Sequence, residues 1–152
     1  MTDPSAVHDN YSILVIDDEE SICHAFRRFF SSRGWNTTIA ATGRQGVMQY
    51  QKDHPAIVFL DIRLPDGNGL NYLEEIRAYD PSARVVIISA YGDLDTVVRA
   101  SKARAFDYLP KPIDLDQALE LVHRAVESLK LDTPTGTLRQ QTAQEDAMIG
   151  DS

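Results

Sequence analysis

The sequence predicts an α/β protein: a doubly wound parallel sheet with helices on both faces. Three observations lead there. Five apolar runs of strand length recur along the 152-residue chain, segments of helical period separate them, and three of the runs are continuous rather than alternating. Continuous runs mark strands buried on both faces, as in a parallel sheet. Five strands alternating with five helices assemble as right-handed βαβ units.

Each element follows from local chemistry. SILVI (12–16) is the first strand. EESICHAFRRFFSSRG then sets Ile22, Phe26, Phe29 and Phe30 on one side of a helix that Gly34 stops. Cys23 shares that helix and reads as a small core residue rather than a nucleophile. WNTTIA (35–40) is the second strand, and GRQGVMQYQKD is a weaker helix diluted by Gly46. AIVFL (56–60) is the third strand, and LNYLEEIRAYD follows Gly69 and ends before Pro81. RVVIIS (84–89) is the fourth, and LDTVVRASKA starts behind Asp93, an N-cap candidate. AFDYL (105–109) is the fifth. LDQALELVHRAVESLK follows, capped by Asp114, with Leu115, Leu119, Val122 and Val126 as its stripe. Beyond Leu131 the chain turns polar and loses its period. Residues 1–10 therefore read as a tail, 11–130 as one domain and 131–152 as a linker or tail.

Composition narrows the function classes. A hydrophobic content of 43% can build a sizeable core. The net charge is −8 with no block of Lys or Arg, which argues against direct nucleic-acid binding by this segment. No apolar stretch is long enough to span a membrane. MTDPSAVHDN has neither a basic start nor an apolar core, so it is not a signal peptide. One cysteine cannot form an internal disulfide, which fits a cytoplasmic location. His8, His24, His54 and His123 show no metal-ligand spacing.

The chemistry gathers at strand ends. In an open α/β sheet, functional groups collect beyond the carboxyl ends of the strands. LVIDDEE brings Asp17 and Asp18 there, and VFLD brings Asp61. Two like charges about 4 Å apart cost on the order of 4 kcal/mol at an effective dielectric of about 20. Such a cluster needs a cation or a protonated member, and an all-oxygen site suits Mg²⁺. Lys111 of PKP and Ser89 of VVIIS reach the same rim. Taken singly, such an Asp is a helix cap, such a Lys a surface residue and such a Ser a core hydroxyl. Together they describe phosphoryl transfer onto Asp61, with Mg²⁺ screening the acids, Lys111 binding one phosphoryl oxygen and Ser89 another.

ILVIDDEE, FLDIRLPDGNGL, VIISAYGD and AFDYLPKP, in that order, resemble the receiver domain of two-component response regulators over residues 11–130. The resemblance implies a flavodoxin-like (βα)5 fold with strand order 2-1-3-4-5. It implies that Asp61 is the phosphoacceptor, that Asp17, Asp18 and the backbone carbonyl of Arg63 join it in holding Mg²⁺, and that Lys111 and Ser89 are catalytic. Ser89 and Tyr108 would form the switch; Tyr108 otherwise reads as a strand residue packing on the fourth helix. A cis Lys111–Pro112 bond is also implied. The implied partners are a sensor histidine kinase, a C-terminal effector domain outside this chain, and a second copy through the face of the fourth helix, fifth strand and fifth helix. Leu94, Val97 and Val98 are candidates for that face. The domain would be a signalling module rather than an enzyme.

SAYGDLDTVVRASKARAFDYLPKPID further resembles the receivers of NtrC-like activators of sigma-54 RNA polymerase, and AMIGDS resembles the opening of their AAA+ domain. One departure stands out: such sequences read AGAFDYL, and this one reads ARAFDYL. Arg104 is therefore expected either in left-handed geometry or at an altered helix end. Arg63 and Tyr91, each two residues past a site residue, are expected to shield the acyl phosphate from water. Two other readings stay open. A phosphohydrolase working through an aspartyl phosphate would use Asp66 as its second acid. A flavin module would need a phosphate loop where DDEE stands.

Overall fold

The structure is a computed structural model that describes residues 11–90 and 93–131. Five strands form one sheet: β1 (Ser12–Ile16), β2 (Asn36–Ala40), β3 (Ile57–Asp61), β4 (Val85–Ala90) and β5 (Asp107–Lys111). Their order is β2-β1-β3-β4-β5, and every neighbouring pair is parallel. The helices are α1 (Glu20–Ser31), α2 (Gly43–Asp53), α3 (Gly69–Tyr79), α4 (Leu94–Lys102) and α5 (Leu115–Leu131). This is the flavodoxin-like arrangement that the resemblance implies.

Side-chain alternation along the strands sorts the core into two layers. Ile13, Val15, Ile57, Phe59, Val86 and Ile88 face α1 and α5, where Phe26, Phe30, Val122 and Val126 meet them. Leu14, Ile16, Val58, Leu60, Val85 and Ile87 face Val47 and Tyr50 of α2, Leu73 and Ile76 of α3, and Ala100 of α4. β1, β3 and β4 are buried on both faces, which is why their apolar runs do not alternate.

Helix starts are fixed by the side chains the sequence points to. Asp93 accepts the Thr96 amide at 3.2 Å, and Asp114 accepts the Asp116 and Gln117 amides at 3.0 and 3.3 Å. Thr42 and Asn68 cap α2 and α3 in the same way. Helix ends are equally local. At the end of α1 the Trp35 amide donates to the Phe30 carbonyl at 2.9 Å and the Gly34 amide to the Ser31 carbonyl at 3.0 Å, with Gly34 at φ 86°. The end of α4 repeats these bonds, from Ala105 to Ala100 and from Arg104 to Ser101, and Arg104 sits at φ 65°. The left-handed arginine is thus observed, in an intact Schellman turn.

Three details depart from expectation. Cys23 is half-buried rather than a core residue, because the first turn of α1 overhangs the strand ends; its thiol donates to the Asp17 carbonyl at 3.2 Å. β5 starts two residues later than the apolar run, so Lys111 is its last residue. Arg63–Leu64 and Gly67–Asn68 pair as a two-residue antiparallel ladder between β3 and α3. The Lys111–Pro112 peptide is cis.

Candidate functional site

The central strands place the acids side by side. β1 and β3 pair with Ile16 opposite Leu60, so Asp17 and Asp61 leave neighbouring strands at the same level. Asp17 is 1% exposed and Asp61 3% exposed. Carboxylate oxygens of Asp17, Glu19 and Asp61 all lie within 4.8 Å of one another. Asp18 is exposed, beside this group and not within it. Glu19 is the member that sequence reading missed; only its place in DDEE, one residue past the paired acids, pointed to it.

Electrostatics at this rim call for a cation. Burial pushes the Asp17 carboxyl up to about 7; the Glu19 amide pulls the other way, and the Asp61 charge raises it further. Asp17 Oδ1 accepts that amide at 2.9 Å, while Oδ2 is buried with no hydrogen-bond partner among the described residues. A buried orphan oxygen beside a second buried carboxylate fits a hard, oxygen-seeking divalent ion.

Lys111 supplies the facing ammonium. Its Nζ lies 2.9 Å from Glu19 Oε1 and 3.5 Å from Asp61 Oδ2. Partial burial opposes its charge, but the Glu19 hydrogen bond and the Asp61 and Asp17 charges outweigh this and hold it above the ordinary lysine range. Ser89 is 1% exposed on β4, one residue past Ile88, the register partner of Asp61. Its hydroxyl donates to Asp93 Oδ2 at 3.3 Å. Tyr108 is half-buried on β5, packs against the α2–α3–α4 layer and donates to the Ala90 carbonyl at 2.8 Å. The Arg63 amide lies 3.4 Å from Asp61 Oδ1, which sets that peptide at the rim. Tyr91 lies outside the described residues.

The loop after β3 is held tightly. A Cβ on Gly69 would come within 2.2 Å of the Asp61 carbonyl oxygen, so only glycine lets α3 start this close to the acid. Asp66 is occupied elsewhere: its carboxylate accepts the Gly43 and Arg44 amides at 2.8 and 3.0 Å and so caps α2. That bonding takes away the second acid a phosphohydrolase would use. Burial, with the Asp17 charge adding, pushes the Cys23 thiol up to about 11, which disfavours the thiolate that a nucleophile needs.

Residues 13–123 match the response regulator receiver domain. The chain belongs to the response regulator receiver domain family. The receiver is 35% identical over 136 residues to the transcriptional regulatory protein ZraR of Escherichia coli, covering 88% of this chain and 31% of that one. It is 37% identical over 114 residues to the DNA-binding transcriptional regulator NtrC of Salmonella typhimurium, covering 75% of this chain and 24% of that one. The chain thus spans less than a third of these relatives. Among solved structures, the NtrX receiver domain from Brucella abortus matches with a TM-score of 0.71 at 34% identity, covering 76% of this chain and 98% of that one. The beryllofluoride-activated NtrC4 receiver domain dimer matches with a TM-score of 0.72 at 31% identity, covering 77% and 97%. The relatives therefore include NtrC-type transcription regulators.

Proposed function

We propose that this receiver is activated by phosphorylation of Asp61 by a sensor histidine kinase. The observation that carries the reading is the pairing of buried Asp61 with Asp17, whose Oδ2 has no partner among the described residues, opposite the Lys111 ammonium. Asp17, Asp18, Asp61 and the Arg63 carbonyl would hold Mg²⁺. When bound, the ion offsets the charge of the acids and of the incoming phosphoryl group. An Asp61 oxygen attacks phosphorus, the new O–P bond replaces the donor's N–P bond, and the histidine leaves as free imidazole. Lys111 receives one phosphoryl oxygen as a point charge, and the Ser89 hydroxyl leaves Asp93 for another. Tyr108 follows into the space that Ser89 vacates, and the face of α4, β5 and α5 changes shape.

On this reading the domain is a cytoplasmic signalling module whose only chemistry is gain and loss of its own phosphoryl group. Residues 1–10 are a tail, 11–130 the receiver, and 131–152 a linker toward an effector domain, AAA+ in kind, through which sigma-54-dependent transcription is controlled. Exposed Leu94 and Val98 on α4 suit a homodimer through the α4–β5–α5 face. Among the described residues no helix is long and apolar enough to cross a membrane. Incubation with acetyl phosphate and Mg²⁺ followed by intact-mass measurement tests the reading. One phosphoryl adduct is expected, absent from Asp61→Asn and with EDTA; an adduct that survives Asp61→Asn overturns it.

A further inference from the structure

The Lys111 ammonium spans two carboxylates, and its shorter contact is not with the one it is read to serve. It lies 2.9 Å from Glu19 Oε1 and 3.5 Å from Asp61 Oδ2. Elementary electrostatics favours the reverse. The Asp61 side chain is 4% exposed and that of Glu19 52%, and a pair attracts more strongly where water is excluded. We propose that Glu19 is a positioning residue that draws Lys111 off Asp61 and so keeps the phosphoacceptor carboxylate open. The proposal rests on the reading of Asp61 and Asp17 as the phosphoacceptor and Mg²⁺ site.

Local structure equips Glu19 for this. It stands at the N-cap position of α1, yet its side chain makes no capping bond and is left to reach across the rim. Its own amide donates to Asp17 Oδ1, which fixes its backbone beside the acids. Lys111 ends β5, so its ammonium reaches both carboxylates from a fixed base. An ammonium settled on Asp61 competes with a divalent cation for the same oxygens. Held by Glu19, it waits at the rim until a phosphoryl group offers it a better partner.

Calorimetric titration of the full chain with Mg²⁺, without any phosphoryl donor, tests this through a double-mutant cycle. Glu19→Ala removes no helix cap, and Lys111→Ala removes a cation, so every variant keeps a titratable site. Glu19→Ala is expected to weaken Mg²⁺ binding about fivefold or more when Lys111 is present, and less than about twofold in Lys111→Ala. An equal loss in both backgrounds overturns the proposal, because Glu19 would then act as a cation ligand or as bulk charge. No loss with Lys111 present overturns it as well. A wild-type chain that takes up no Mg²⁺, or an Asp61→Asn chain that binds it as tightly as wild type, overturns the site reading along with it.

Discussion

The Ser89 hydroxyl donates to Asp93 Oδ2 at 3.3 Å, so the proposed switch residue of β4 is tied to the cap of α4. The same carboxylate accepts the Thr96 amide at 3.2 Å and the Thr96 hydroxyl at 2.7 Å. On the proposed mechanism, a Ser89 that turns toward Asp61 gives up a bond to the group that starts α4, and phosphorylation would then reach the helix through its first turn. Asp93→Ala removes all three bonds at once. Stability should fall by about 1–2 kcal/mol, the usual cost of losing such a cap. Amides in the first turn of α4 should also exchange faster than those of α5. Hydrogen exchange read by mass spectrometry checks this, and unchanged protection in α4 would show that Asp93 does not hold the helix end.

Gly69 is the second constraint at the site. A Cβ there meets the Asp61 carbonyl oxygen at 2.2 Å and the Asp61 carbonyl carbon and Ile62 Cα at 3.0 Å, all backbone that cannot swing aside. Gly69→Ala should therefore cost about 1–3 kcal/mol, as overpacking does. It should also slow phosphoryl gain from acetyl phosphate by displacing Asp61. Urea unfolding and intact mass measure the two effects; an Ala variant with wild-type stability and rate would contradict the close approach.

Arg104 invites a test in the stabilising direction. Its Schellman turn matches the one at Gly34, yet an arginine occupies the left-handed position at φ 65°. A side chain in that region costs about 1–2 kcal/mol, while glycine loses about 0.5–1 kcal/mol of chain entropy on folding. Arg104→Gly should thus stabilise the domain by about 0.5–1 kcal/mol in denaturant unfolding. A destabilised variant would mean that the arginine side chain holds the turn in some other way.

Most of the fold was legible because its signals are local. Continuous apolar runs marked β1, β3 and β4, and Asp93, Asp114 and Gly34 bounded helices where their chemistry required. Asp17, Asp61, Lys111 and Ser89 were legible as a group because strand order alone brings strand ends together. What escaped depends on side-chain direction. Glu19 joins the buried acids although it lies one residue past the pair that the strand end announces. Asp66 turns away to cap α2, a partner 23 residues distant that no spacing announces. Cys23 shares the period of Phe26 and Phe30 but lies in the turn that overhangs the site, where the core has ended.

Asp17 predicts an unusual pH dependence for the metal-free domain. Its carboxyl rises from 3.8 to about 7, chiefly through burial, with the Glu19 amide opposing and the Asp61 charge assisting. The folded chain therefore keeps a proton that the unfolded chain has already lost. That contribution to stability is complete below the unfolded pKa and disappears as pH rises through about 7. Asp66, Glu75, Asp80 and Asp93 are held below the carboxylate range, so their contributions are lost only in acid, as pH falls through their folded values. Between about pH 5 and about pH 8 the difference between wild type and Asp17→Asn thus isolates Asp17. In EDTA the wild-type melting temperature should drop across that range more steeply than that of Asp17→Asn. Mg²⁺ should raise it more at the alkaline end, where the Asp17 carboxyl is ionised and free to take a cation. Parallel pH curves for the two chains in EDTA would mean that Asp17 is already charged at neutral pH.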